Sequence, residues 1–134
     1  MLLLWTTDPL LEKALQIIRA WGFAYKTVGF YWAKLNKSHA GLLFDDSSFF
    51  TGLGFWTRAN PEMCLLAMWG KPKRKSAGVR ELIVSPRRDH SRKPDEAYER
   101  IEALVDGPYL EMFARRRRPS WDAWGDGVPA VPRS

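Results

Sequence analysis

The chain opens on Met1-Leu2-Leu3-Leu4-Trp5, an apolar run with no polar residue alternating through it. Such a run reads as a strand covered on both faces, Leu2 to Thr6, and a strand of that kind needs neighbours on both edges. A helix start follows at once. Thr7 or Asp8 supplies an N-cap, and Pro9 falls in the first turn, where its missing N–H costs nothing. Leu11, Ala14, Leu15, Ile18 and Trp21 recur at helical spacing as one apolar face, and Gly22 closes the helix. Strand, turn and helix in this order form the building unit of an α/β fold.

The same alternation continues to the end of the chain. Tyr25 to Trp32 is aromatic and β-branched and predicts a second strand; Ala33 to Leu53 reads as a long polar loop of a length often tied to function. Further strands are expected at Glu62 to Trp69, at Glu81 to Val84 and at Tyr109 to Phe113. A second helix begins near Pro94, with Asp95 and Glu96 in its first turn and Ala97, Ile101 and Leu104 as its buried stripe. Ala114 to Ser134 reads as irregular, with Gly127 to Ser134 loosely held. There is no repeat and no long linker, so one α/β layer structure is expected. Ligands of such folds sit beyond the carboxyl ends of the strands, which nominates Thr6 to Pro9, Ser85 to Lys93 and Ala114 to Arg118 as a rim.

Charge and cysteine usage narrow the classes. The 21 basic residues against 15 acidic ones give a net charge of +6, and the excess is concentrated between Lys71 and Lys93 and at Arg115-Arg116-Arg117-Arg118. These clusters suit a polyanion such as nucleic acid, and equally a solvated surface. Cys64 is the only cysteine, which excludes an intrachain disulfide and a thiolate zinc cluster; its apolar surroundings mark it as a small buried hydrophobe. No apolar run is long enough to span a membrane and no signal-peptide pattern precedes the first strand, so a cytoplasmic protein away from membranes is expected.

Motifs for known chemistry are mostly missing. Neither GxGxxG nor GxxxxGK[ST] occurs, and His39 and His90 are too isolated to nominate a metal site. Ser85, His90 and Asp89 or Asp95 make a triad on paper, without a nucleophile elbow. Gly52-Leu53-Gly54 reads as a tight turn, and Trp56 and Trp69 read as core. Asp89-His90-Ser91-Arg92-Lys93-Pro94-Asp95-Glu96 joins a strand end to a helix start, and so offers either an anion site or a capped helix with a solvated first turn. The four arginines, followed by Trp121, Trp124 and Asp126, can bind phosphate or carboxylate in fork geometry, and Asp126 can accept hydrogen bonds from a ribose diol. The two tryptophans serve equally as cover for a sheet edge.

Taken in order, these segments resemble the MT-A70 family of S-adenosylmethionine-dependent adenine-N6 methyltransferases, and in particular its microbial and phage members. The pieces are Leu3-Leu4-Trp5-Thr6-Thr7, Ala20-Trp21-Gly22-Phe23, Trp32-Ala33-Lys34-Leu35-Asn36 and Gly52-Leu53-Gly54-Phe55-Trp56-Thr57-Arg58 with Glu62. They continue with Ser91-Arg92-Lys93-Pro94-Asp95-Glu96, Leu110-Glu111-Met112-Phe113-Ala114-Arg115 and Trp121-Asp122-Ala123-Trp124-Gly125-Asp126. The resemblance implies a Rossmann-like S-adenosylmethionine-dependent methyltransferase fold, N-terminally incomplete. It occupies residues 1–128, and 129–134 are expected to form a flexible tail.

For the site, the resemblance implies that Lys93 reaches the methionine carboxylate of the cofactor and that Arg115, Arg117 and Asp126 face its adenosine and ribose. Asp126 stands where the family usually carries asparagine. Trp56, Arg58 and Glu62 fall on the target-adenine side. The family's catalytic Asp-Pro-Pro-Trp does not occur in these 134 residues; Asp8-Pro9-Leu10-Leu11 is the nearest string, and it follows the wrong strand. An exocyclic adenine amine is a poor nucleophile, so it needs the acceptors and the aromatic clamp of that motif to be positioned and polarised. The expectation is therefore N6-methylation of adenine in nucleic acid, DNA ahead of RNA, with this chain inactive alone. A second chain would supply the missing N-terminal part or form a dimer. The alternative is a non-catalytic nucleic-acid-binding or partner protein with a degenerate methyltransferase fold.

Overall fold

The computed structural model describes residues 1–39, 41, 43–89, 92–125 and 128. Four strands, β1 (Leu2–Thr6), β2 (Ala24–Leu35), β3 (Glu62–Met68) and β4 (Leu82–Pro86), form one sheet in the order β1-β3-β2-β4. β3 runs antiparallel to both β1 and β2, whereas β4 lies parallel to β2. β1, β2 and β4 therefore share one direction, and their carboxyl ends meet at one edge of the molecule. A separate ribbon pairs β5 (Tyr109–Met112) in parallel with β6 (Trp121–Trp124).

Helices cover both faces of the four-stranded sheet. α1 (Leu11–Ala20) buries Ala14 and Ile18 against Met63, Leu65 and Ala67, with Leu2 and Leu4 at the margin. α2 (Asp95–Leu104) buries Ala97 and Ile101 against Phe30, Trp32, Cys64 and Ile83, with Leu3 and Trp5 alongside. Alternate residues of β1 and β3 thus serve opposite cores, which is why both strands read as unbroken apolar runs. Burial lifts the Cys64 thiol to about 12, so it packs and does not react.

Several expectations are corrected. β1 has a neighbour on one edge only, β3, among the described residues. β2 runs on to Leu35, so the loop expected from Ala33 starts three residues later. Thr7 and Asp8 cap no helix with their side chains; a single 3-10 turn at Asp8–Leu10 precedes α1 instead. Trp21, assigned to the buried face of α1, is 47% exposed. Trp56 and Trp69, read as core, are 100% and 76% exposed, and both stand on loop backbone outside the strands and helices. Ala114 to Ser134 is not wholly irregular, since Trp121–Trp124 finds β5 as a parallel partner. Gly127, Pro129 to Ser134 and the expected tail lie outside the described residues. No helix among the described residues is long and apolar enough to cross a membrane, and no group of potential metal ligands occurs among them.

Candidate functional site

The carboxyl ends of the parallel strands carry a compact charged cluster centred on Glu62. Glu62 stands at the start of β3, opposite Trp32 in the antiparallel register, so Lys34 lies diagonally across from it. Lys34 Nζ reaches Glu62 Oε2 at 3.0 Å, and Lys93 Nζ, arriving from the segment before α2, donates to Oε1 at 2.8 Å. All three side chains are at most one-fifth exposed. Burial by itself would raise the Glu62 carboxyl, but Lys93 and Lys34 outweigh it and hold the group below the usual carboxylate range.

Aromatic rings wall this cluster. Lys93 Nζ lies 5.3 Å from the centroid of Trp5, Lys34 Nζ lies 5.5 Å from Trp32 and 5.9 Å from Phe50, and Trp5 meets Trp32 edge-on. Trp32 Nε1 donates to Ser85 O at 2.9 Å, tying β2 to the end of β4. Ser85 itself is buried and meets Glu96 at 3.4 Å, and His90 lies outside the described residues, so the paper triad has no support here. Asn60 donates to the carbonyls of Lys34 and Phe50 and accepts from the Lys34 amide, which fixes the loop leading into β3.

A second centre is Asp95, at the start of α2. Its carboxylate takes Arg92 at 3.1 Å and Arg88 and Arg118 at 3.4 Å each. Desolvation opposes the charge, yet Arg88 and Arg92, with Arg118, hold the Asp95 carboxyl below its ordinary value. Arg118 also lies 4.3 Å over the Tyr98 ring, and Tyr98 donates to Glu111 at 2.6 Å. Burial, and then the Glu111 carboxylate, push the Tyr98 phenol upward. These contacts draw the segment after β5 onto the helix start, so two of the expected rim segments meet here, and Trp5 brings the end of β1 to Lys93.

Among the residues nominated from sequence, Lys93 and Glu62 are thus joined directly. Trp56 and Arg58 stand exposed on a loop closed by Gly52 and Ala59, whose backbones exchange hydrogen bonds of 2.7 and 3.2 Å. A side chain at Gly54 would strike Thr57 O, which explains glycine at that tight turn. Arg115 and Arg117 lie on exposed backbone after β5, and Asp126 falls outside the described residues. Sequence reasoning gave no individual role to Lys34 or Arg88, and it placed Asp95 only in the first turn of α2, in the paper triad and in the segment offered as an anion site or capped helix. Lys34 fell in the loop expected from Ala33 and joins the cluster only because β2 runs on to Leu35; the Asp95 cluster depends on loop paths that no periodicity encodes.

Residues 1–127 match the MT-A70 family. The chain belongs to that family. Type II methyltransferase M.MunI of Mycoplasma sp is 30% identical over 131 residues, which cover 96% of this chain and 50% of that protein. N(6)-adenosine-methyltransferase catalytic subunit METTL3 of Homo sapiens is 29% identical over 135 residues, covering 97% and 22% respectively. An N(6)-adenosine-methyltransferase MT-A70-like protein of Arabidopsis thaliana is 31% identical, covering 98% of this chain and 18% of its own length. The chain therefore spans half the length of the Mycoplasma relative and about a fifth of the others. Its mixed α/β architecture, with helices on both sheet faces, agrees with a Rossmann-like MT-A70 methyltransferase domain in part.

The residues present suit the family's cofactor in charge. Lys93 gives Glu62 one of its three N–H donors, which leaves two for a carboxylate, and its side chain keeps some access to solvent.

Proposed function

We propose that this chain forms the cofactor-facing and substrate-side portion of an S-adenosylmethionine-dependent adenine-N6 methyltransferase acting on nucleic acid. In this reading Lys93 holds the methionine carboxylate, and Arg115, Arg117 and Asp126 face the adenosine and ribose. Glu62 keeps Lys93 extended toward that position, while Trp56 and Arg58 meet the target strand. The cofactor supplies the methyl group; the protein's share is positioning. The exposed tip formed by Leu53, Phe55 and Trp56 supports a base-contacting role, since its side chains are 84–100% exposed and apolar. We keep DNA ahead of RNA as the proposed polymer; the type II methyltransferase relative supports that order, and the relatives named for adenosine support the reverse.

The acceptors for the adenine amine come, in this proposal, from an extended segment that is not within these 134 residues. One observation carries it. Among the described residues β1 and β5 each pair on one edge only, and a cleft of about 360 Å³ is lined by Met1 and Leu3 of the first segment and Tyr109 and Leu110 of the second. Ile101, Val105 and Trp121 floor it with apolar surface. A strand laid there would satisfy both free edges and join the two sheets into one. The segment comes from the same polypeptide or from a second chain.

The alternative of a non-catalytic nucleic-acid-binding partner draws on Lys93 already being engaged by Glu62. Binding of labelled S-adenosylmethionine to the chain and to Lys93→Met separates the two. The methyltransferase reading expects measurable binding, lost by at least tenfold in the variant; equal, negligible binding by both supports the partner reading. Competition between DNA and RNA oligonucleotides of one sequence then tests the order of polymers.

A further inference from the structure

Beside the Lys93 cluster lies a second concavity, of about 240 Å³, whose lining is Lys37, Arg87, Arg88, Asp89, Arg92 and Arg116. Three separate segments contribute: Lys37 follows β2, Arg87 to Arg92 link β4 to α2, and Arg116 follows β5. Five cations face one acid. Among the described residues the acids nearby are shared: Asp89 pairs with Lys37, and Asp95 is divided among Arg88, Arg92 and Arg118. Arg87 is set over the Phe50 ring at 4.0 Å, which orients its guanidinium without neutralising it. Arg88 Nε is buried and has no hydrogen-bond partner among the described residues. An orphaned guanidinium N–H in a cationic hollow is the mark of a site built for an acceptor that is not part of the chain.

We infer that this hollow is a phosphate site, holding a backbone phosphate of the strand that carries the target adenine. The inference rests on the nucleic-acid reading above. The chemistry is that of the guanidinium fork, which pairs two parallel N–H donors with two phosphate oxygens. Arg92, which lines the hollow, immediately precedes Lys93 in sequence, and in this proposal a strand held here runs on toward the cluster at the strand ends. Its role is to fix register, since phosphate contacts carry no sequence information.

The test uses Arg87→Gln, Arg116→Gln and their combination, with Lys71→Gln/Arg74→Gln as a control that removes equal charge elsewhere in the basic region. Binding of a labelled single-stranded oligonucleotide is measured across salt concentrations, binding of pyrophosphate by calorimetry, and folding by thermal melting. Each single pocket variant is expected to lower the slope of log K against log salt by about 1, and the combination by about 2, uniformly across sequences, while the double control leaves it nearer the original. Arg116→Gln serves alone if loss of the Arg87–Phe50 contact disturbs folding. Oligonucleotide binding with the original slope in folded pocket variants overturns the site but spares the nucleic-acid reading. Pyrophosphate binding that is sensitive to these variants, without any oligonucleotide binding, assigns the hollow to a free phosphate and overturns the strand. Absence of both overturns the site and the nucleic-acid reading together.

Discussion

At the scale of single residues, Glu62 is the hinge of the charged cluster. It neutralises Lys34 and Lys93 at 3.0 and 2.8 Å in a place where water reaches all three poorly. Removing it as Glu62→Gln leaves two part-buried ammonium groups without their counter-charge and should cost roughly 2–3 kcal/mol at neutral pH, somewhat less than the 3–5 kcal/mol of a fully buried pair. The pH dependence follows from the depressed carboxyl of Glu62. A folded value below the unfolded one contributes stability that is complete above the unfolded value and is lost as pH falls through the folded one. Urea melts at pH 7 and pH 3 should therefore show a larger loss on acidification for the parent than for Glu62→Gln. Equal losses would mean that Glu62 carries no net charge coupling. Of this cluster, Lys93 and Glu62 were legible from family resemblance and from the helix start, whereas Lys34 emerged only once β2 and β3 were in register.

At the scale of elements, the two sheets differ in how they are secured. The four-stranded sheet has helices on both faces, and Arg100 Nη1 clasps α2 to the edge by donating to Arg80 O and Leu82 O, both at 2.7 Å. The β5–β6 ribbon is short and depends on its connections: Phe113 and Ser120 have φ values of 59° and 68°, and the Ala114 amide donates to Trp124 O at 2.9 Å. A side chain at Gly125 would stand 2.6 Å from Ala114 O and 2.7 Å from Ala114 N. Gly125→Ala must therefore push the chain off the Ala114 backbone, at a cost of about 1–3 kcal/mol. Hydrogen exchange should detect the loss in Met112 to Trp124 first, with β3 unaffected; uniform loosening of the whole chain would contradict the separate anchoring. The strands of the main sheet were legible because continuous apolar runs and helical periodicity mark both of its cores. β6 was not, since Trp121 to Trp124 is only four residues long and its identity comes from stacking on Tyr109 and pairing with β5.

At the scale of the whole molecule, the fold brings two charged clusters to one end of the main sheet and leaves a slot along one side. The basic hollow and the Glu62 cluster lie at the carboxyl ends of the parallel strands, which is where α/β folds bind ligands. The slot between β1 and β5 is a different kind of feature, because it exposes backbone edges that an ordinary domain pairs or covers. Membership of the MT-A70 family and the absence of Asp-Pro-Pro-Trp from these residues give the slot its meaning in the proposal. The opening apolar strand foretold a neighbour on each edge, and the structure provides one. The most direct measurement is methyl transfer from labelled S-adenosylmethionine to adenine-containing oligonucleotides, by the 134-residue chain alone and by the same chain extended ahead of Met1 with a strand bearing Asp-Pro-Pro-Trp. The account predicts background transfer by the first and transfer at an ordinary enzymatic rate by the second, abolished when the motif's aspartate is changed to alanine. Efficient transfer by the 134-residue chain alone would contradict it.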